Sequence, residues 1–122
     1  MTGQPGPEPA CGVGRVGVVQ SVVAYVPDLM DRSKVSAAAS DVRFVSRPEA
    51  LADAAATADL VVVDLSRPGV MDALVEVAAL GVRVIGFGSH VDRDVLDEAR
   101  SAGCSQVLAR SAFFGQIGQL LA

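Results

Sequence analysis

ADLVVVDLSRPG, residues 58–69, is the stretch that decides the fold. Leu60 to Leu65 is an apolar run interrupted only by Asp64, and its centre is three consecutive valines. A strand with no polar alternation is covered on both faces, which is the position of a central strand in a parallel sheet. Ser66, Arg67, Pro68 and Gly69 then supply turn chemistry. Asp64 therefore sits at the tip of the central strand, either as a functional carboxylate or as a cap for the turn that follows.

Working outward, apolar runs of strand length alternate with Ala-rich segments of helical period, the pattern of βα units. Downstream, MDALVEVAAL reads as a helix closed by Gly81, and VRVIGFG (82–88) as a fourth strand. DRDVLDEARSAG (92–103) is a helix with Asp92 as cap candidate, Val95, Leu96 and Ala99 on one face, and Gly103 at its end. QVLAR (106–110) is a fifth strand, and FFGQIGQLLA a final helix weakened by two glycines. Upstream, PEALADAAATA is a short helix with Pro48 in its first turn, and VRFVS (42–46) a second strand. DLMDRSKVSAAAS is a helix capped by Asp28 with Leu29, Val35 and Ala39 sharing a face. The first strand lies within VVQSVVAYV, centred on Ser21 to Val26 and stopped by Pro27. Residues 1–14, rich in Pro and Gly, read as a flexible leader, and residues 15–122 as one domain.

Five strands with right-handed crossovers predict an α/β fold of three layers, α/β/α, flavodoxin-like, with a parallel sheet of order 2-1-3-4-5. Ligands of such sheets bind beyond the carboxyl ends of the strands. The pocket rim is then Asp28, Asp64, Ser66, Gly88, Ser89, His90, Arg110 and Ser111.

Composition narrows the function. The chain of 122 residues is 51% hydrophobic, so one domain can bury a core without cross-links. A net charge of −4 and 4% aromatics argue against nucleic-acid stacking and anionic membranes, so neither is expected as a partner. Two cysteines, Cys11 and Cys104, and one histidine, His90, offer no disulfide framework and no His/Cys metal cluster. A reduced, cytoplasmic protein is the expectation. Residues 12–17, GVGRVG, fit G-x-G-x-x-G literally, but they enter a strand instead of following one, so no dinucleotide fingerprint is read there. Cys104 reads as a small buried hydrophobe, Cys11 as the more reactive thiol, and His90 as a loop residue near the fourth strand.

Over roughly residues 20–122 the sequence resembles the receiver domains of bacterial two-component response regulators. The resemblance rests on ADLVVVDLSRPG (58–69), which is similar to the strand, phospho-acceptor Asp and Pro-Gly of a receiver, and on EARSAGCSQVLARSAF (98–113). It implies that Asp64 is the phospho-acceptor-like residue, that strand one ends in two acids which hold Mg²⁺, that strand four ends in a hydroxyl, and that strand five ends in lysine. This chain departs at three of these. Val26-Pro27-Asp28 leaves Asp28 as the one acid at the strand tip, with Asp31 further along the helix. Gly88 stands at the hydroxyl position with Ser89 after it, and Arg110-Ser111 replaces the Lys-Pro pair. Asp28 and Asp64 form at most a weak Mg²⁺ site, so no resident cofactor is expected. Arg110, always charged and forked, is expected to pair bidentately with Asp64 and fix the site.

The sequence thus points to a stand-alone pseudo-receiver, a bacterial signal-transduction and protein-interaction module and not an enzyme. The alternatives are a phosphorylatable single-domain response regulator and a small-molecule or nucleotide-binding flavodoxin-like domain using Gly86 and Gly88 for close approach. The resemblance implies a protein partner or homodimer through the face of helix four, strand five and helix five, with Phe113, Phe114 and Ile117 as apolar anchors. The second helix should be trimmed, because Asp28 and Asp64 stand closer in sequence than in typical receivers.

Overall fold

The computed structural model describes residues 21–39 and 41–121. The leader, residues 15–20 of the expected domain, and Cys11 lie outside the described residues. Five strands, β1 (Val22–Tyr25), β2 (Val42–Phe44), β3 (Leu60–Asp64), β4 (Arg83–Gly88) and β5 (Gln106–Ala109), form one parallel sheet of order β2-β1-β3-β4-β5. Between and after them lie α1 (Leu29–Ala38), a 3₁₀ turn (Pro48–Ala50) running into α2 (Leu51–Ala55), α3 (Val70–Ala79), α4 (Arg93–Ala102), α5 (Arg110–Gly115) and α6 (Ile117–Leu120). The predicted sheet order stands, and α2 is indeed short.

Strand alternation divides the core. Val22, Ala24, Leu60, Val62, Ile85 and Phe87 face α1, α5 and α6, where Val35, Phe113 and Leu120 meet them. Val23, Tyr25, Val61, Val63 and Val84 face α2, α3 and α4. β3 is buried along its whole length, and β5 at the edge is only half-buried. Gly86 has its reason here: a Cβ would lie 2.9 Å from Leu65 Cδ2, so Leu65 packs where a side chain would stand. A Cβ at Gly88 would approach Leu96 and Leu65. Gly86 is thus covered by Leu65, whereas a Cβ at Gly88 would make only ordinary contacts.

Three further expectations change. Leu29 is 76% exposed, and the inward stripe of α1 is Asp31 and Val35, with Ala38 and Ala39 partly buried. The C-terminal segment is two short helices that break at Gln116, and α5 begins at Arg110 directly after β5. Phe113 is 0% exposed and stacks on Phe87 with ring centroids 4.6 Å apart, so it is a core residue and not a surface anchor. Phe114 is partly buried against the same two rings. Among the described residues no helix is long and apolar enough to cross a membrane.

Candidate functional site

Asp64 is 3% exposed and ends β3 in register with Phe87, on the side of the sheet that faces α1 and α5. Its Oδ1 accepts hydrogen bonds from the Ser66 amide at 3.0 Å and the Ser66 hydroxyl at 2.7 Å. That is the Asx-type turn the local sequence favours. Oδ2 lies 3.5 Å from Arg67 Nε, a buried nitrogen with no hydrogen-bond partner. Gly69, at φ 81°, then turns the chain into α3. Asp64 therefore both holds its turn and presents a carboxylate at the strand tip.

Arg110 does not reach for Asp64. Its Nη2 donates to Asp31 Oδ1, an ion pair joining the first turn of α1 to the start of α5 across 79 residues of sequence. Asp31 is 1% exposed, and its Oδ2 is buried without a hydrogen-bond partner. Its identification as an inward-facing acid escaped sequence reading because a carboxylate in an amphipathic helix is ordinarily a surface group. The guanidinium also lies 5.8 Å from the Phe87 centroid and 5.1 Å from that of Phe114, whose ring Lys34 Nζ also approaches at 5.0 Å. The hydrogen bond from Arg110 to Asp31, with the field of Asp31, Asp64 and Asp28, holds the Arg110 pKa above its ordinary value.

Asp28 is exposed and caps α1: Oδ1 accepts from the Asp31 amide at 3.0 Å. That bond, with smaller help from the Met30 amide and the charges of Arg110 and Arg67, lowers its pKa. Ser89, His90 and Ser111 are exposed on the rim. Ser89 Oγ accepts from the Val91 amide at 3.4 Å, and among the described residues no side-chain hydrogen bond links these three to Asp64.

The receiver-like arrangement raises the question of Mg²⁺. Asp64 Oδ1 accepts from Ser66, Asp64 Oδ2 faces Arg67 at 3.5 Å without a hydrogen bond, and Asp31 Oδ1 is bonded to Arg110. Among the described residues no group of three or more His, Cys, Asp or Glu is placed to hold a metal ion. Guanidinium charge already faces Asp64 and Asp31, which works against a cation held by Asp28 and Asp64.

No family model and no curated protein matches the sequence. Solved structures do match. The phosphorylated cyanobacterial phytochrome response regulator RcpA is 16% identical, with 85% of this chain and 89% of that one covered and a TM-score of 0.67. A response regulator from Thermotoga maritima is 14% identical, covers 85% and 98%, and gives 0.66. A protein assigned to pilus assembly from Burkholderia pseudomallei is 17% identical, covers 90% and 91%, and gives 0.64. With the 2-1-3-4-5 sheet, the buried Asp64 at the tip of β3 and these neighbours together, the chain has the fold of response-regulator receiver domains.

Proposed function

We propose that the chain is a receiver-like signalling and protein-interaction module whose acidic pocket is closed by its own arginines and does not turn over phosphate. The observation that carries this reading is the double pairing, Arg110 on Asp31 and Arg67 on Asp64. Phosphoryl transfer to Asp64 needs positive charge that can follow the charge developing on the transferred group. Here Asp64 Oδ1 already accepts twice, and Arg110 is committed to another acid. The receiver fold alone does not dictate phosphotransfer.

The second reading, a phosphorylatable regulator, draws on Asp64 at the strand tip and on the phosphorylated state of the RcpA neighbour. Incubation with Mg²⁺ and acetyl phosphate, read by intact mass, separates the two. The closed pocket gives no adduct. A phosphoryl adduct that disappears in Asp64→Asn overturns the proposal.

Contact is assigned to the face of α4, β5 and α5, where β5 is a half-buried edge and Phe114 and Ile117 remain partly exposed. For the homodimer form, light scattering should give a dimer mass that falls to a monomer in Ile117→Glu. A monomer mass for the unaltered chain removes that form.

A further inference from the structure

Two helices that cover opposite faces of the sheet carry opposite charge. α1 contains Arg32 and Lys34, and its one acid, Asp31, is turned inward and paired with Arg110. α3 contains Asp72 and Glu76 and no cation. In each helix the charge stands in an outward stripe at i, i+3, i+4 and i+7: Met30, Ser33, Lys34 and Ala37 on α1, and Asp72, Val75, Glu76 and Ala79 on α3, all exposed. Both stripes also turn an apolar side chain to solvent, Met30 at 74% exposure and Val75 at 56%. Lys34 lies over the Phe114 ring, and among the described residues neither it nor Glu76 forms an ion pair. Asp72, in the first turn, suits the helix dipole, but Glu76 opens the last turn of α3, where a carboxylate works against it. The stability of its own helix therefore does not account for Glu76.

Charge decides which stripes can meet. α1 on α1 sets cation against cation, and α3 on α3 sets acid against acid, whereas α1 on α3 brings Lys34, at the middle of one stripe, to Glu76 in the other, with Met30 and Val75 as apolar neighbours. We propose that the chain associates head to tail with a second copy of itself, the outward stripe of α1 on one copy seated on that of α3 on the next. The two stripes lie on opposite faces of the sheet, so the contact is heterologous, and each added copy leaves one stripe of each kind open. One helix on another buries less than the roughly 1,200 Å² of a standard interface, so the contact is weak and is populated at high protein concentration. It uses neither the Asp64 pocket nor Ile117, and it stands whether or not that pocket accepts phosphate.

Sedimentation velocity of the full chain carrying Ile117→Glu, over a loading series to millimolar, tests it apart from the α5 face. The weight-average mass should rise past that of a dimer. Lys34→Glu or Glu76→Lys, added singly, should weaken association about tenfold or more, since each sets like charges in contact. Mixing the two reversed chains in equal amounts should restore it, because each then meets an opposite stripe on the other, and that recovery also shows both variants folded. A mass that stays monomeric across the series overturns the proposal. So does association that survives both single reversals, or a mixture no more associated than its parts.

Discussion

Replacing Arg110 by methionine should destabilise the fold far more than the loss of a surface charge would. Asp31 keeps 2% of its side-chain exposure, its Oδ1 is bonded to Arg110, and its Oδ2 has no hydrogen-bond partner. Without the guanidinium, a nearly inaccessible carboxylate is left alone. Removing one partner of a fully buried pair costs roughly 3–5 kcal/mol. The Arg110 side chain is 47% exposed, so water entering its place reduces the cost to roughly 2–3 kcal/mol. That range includes the contacts with Phe87 and Phe114, worth roughly 0.5 kcal/mol each, while the methionine stem keeps most of the packing. Urea unfolding followed by circular dichroism at neutral pH measures the difference, provided the denaturant slope is unchanged. In thermal unfolding the same loss is roughly 10–20 °C for a domain of this size. The double variant Asp31→Asn, Arg110→Met should recover about 1 kcal/mol or more, because a neutral amide is cheaper to bury unpaired than a carboxylate. A single-variant loss below about 0.5 kcal/mol, the behaviour of a solvated pair, would refute the reasoning, as would a double variant no more stable than the single.

Phe113→Ala should cost about 3–5 kcal/mol, since the ring is wholly buried on Phe87; a variant of unchanged midpoint would return Phe113 to the surface. Gly103→Ala should cost roughly 1–3 kcal/mol, because φ is 110° and the new Cβ would lie 2.7 Å from that of Ala78. The Asp28 pKa is lowered in the fold, so its contribution is present above the ordinary value of 3.8 and lost as pH falls through the folded value. Asp28→Asn, which still caps, should keep neutral-pH stability and flatten that acid limb in a pH series of urea midpoints. Burial pushes the Cys104 thiol up from 9.0 to about 11, so its contribution is full below 9.0 and lost as pH rises toward about 11. Cys104→Ala should flatten that alkaline limb.

The sheet was legible because its central strand has no polar alternation. LVVVD has one comfortable place, and the short crossovers then leave few orders for the other four strands. Helix α1 was legible as a helix and misread in phase. Treating Asp31 as a surface group rotates the inward stripe onto Leu29, which the fold leaves exposed. What turns Asp31 inward is a guanidinium 79 residues away, and no window of local sequence contains it. The same distance hid the partner of Arg110. The resemblance set Arg110 in the place of the strand-five lysine and so beside Asp64, but Arg67, three residues along its own turn, is already there. Phe113 was misread because a final helix starting at the FF pair puts both rings near solvent, whereas α5 starts at Arg110 and carries Phe113 inward.

The three departures from the receiver pattern make better sense jointly than singly. Pro27 has no amide hydrogen to donate and Val26 is wholly buried, so the tip of β1 carries no acid, and the first carboxylate, Asp28, is spent as a helix cap. Capping there fixes the phase of α1, placing Asp31 one turn in and on its buried side. An acid so placed needs a cation, and the chain end of β5 provides it. Ala109 pairs with Gly88, so residue 110 emerges beside the tip of β4 and next to Phe87. A lysine there would answer the charge of Asp31 as a compact, strongly hydrated ammonium. A flat guanidinium can lie against Phe87 and Phe114 while its edge meets the carboxylate, so it is the better cation for a site walled by aromatic rings. Once Arg110 is committed in this way, a hydroxyl at the end of β4 has no movable charge to work with. Asp31 and Arg110 thus form one unit across the sheet end, and Asp64 stands in its own turn beside Arg67.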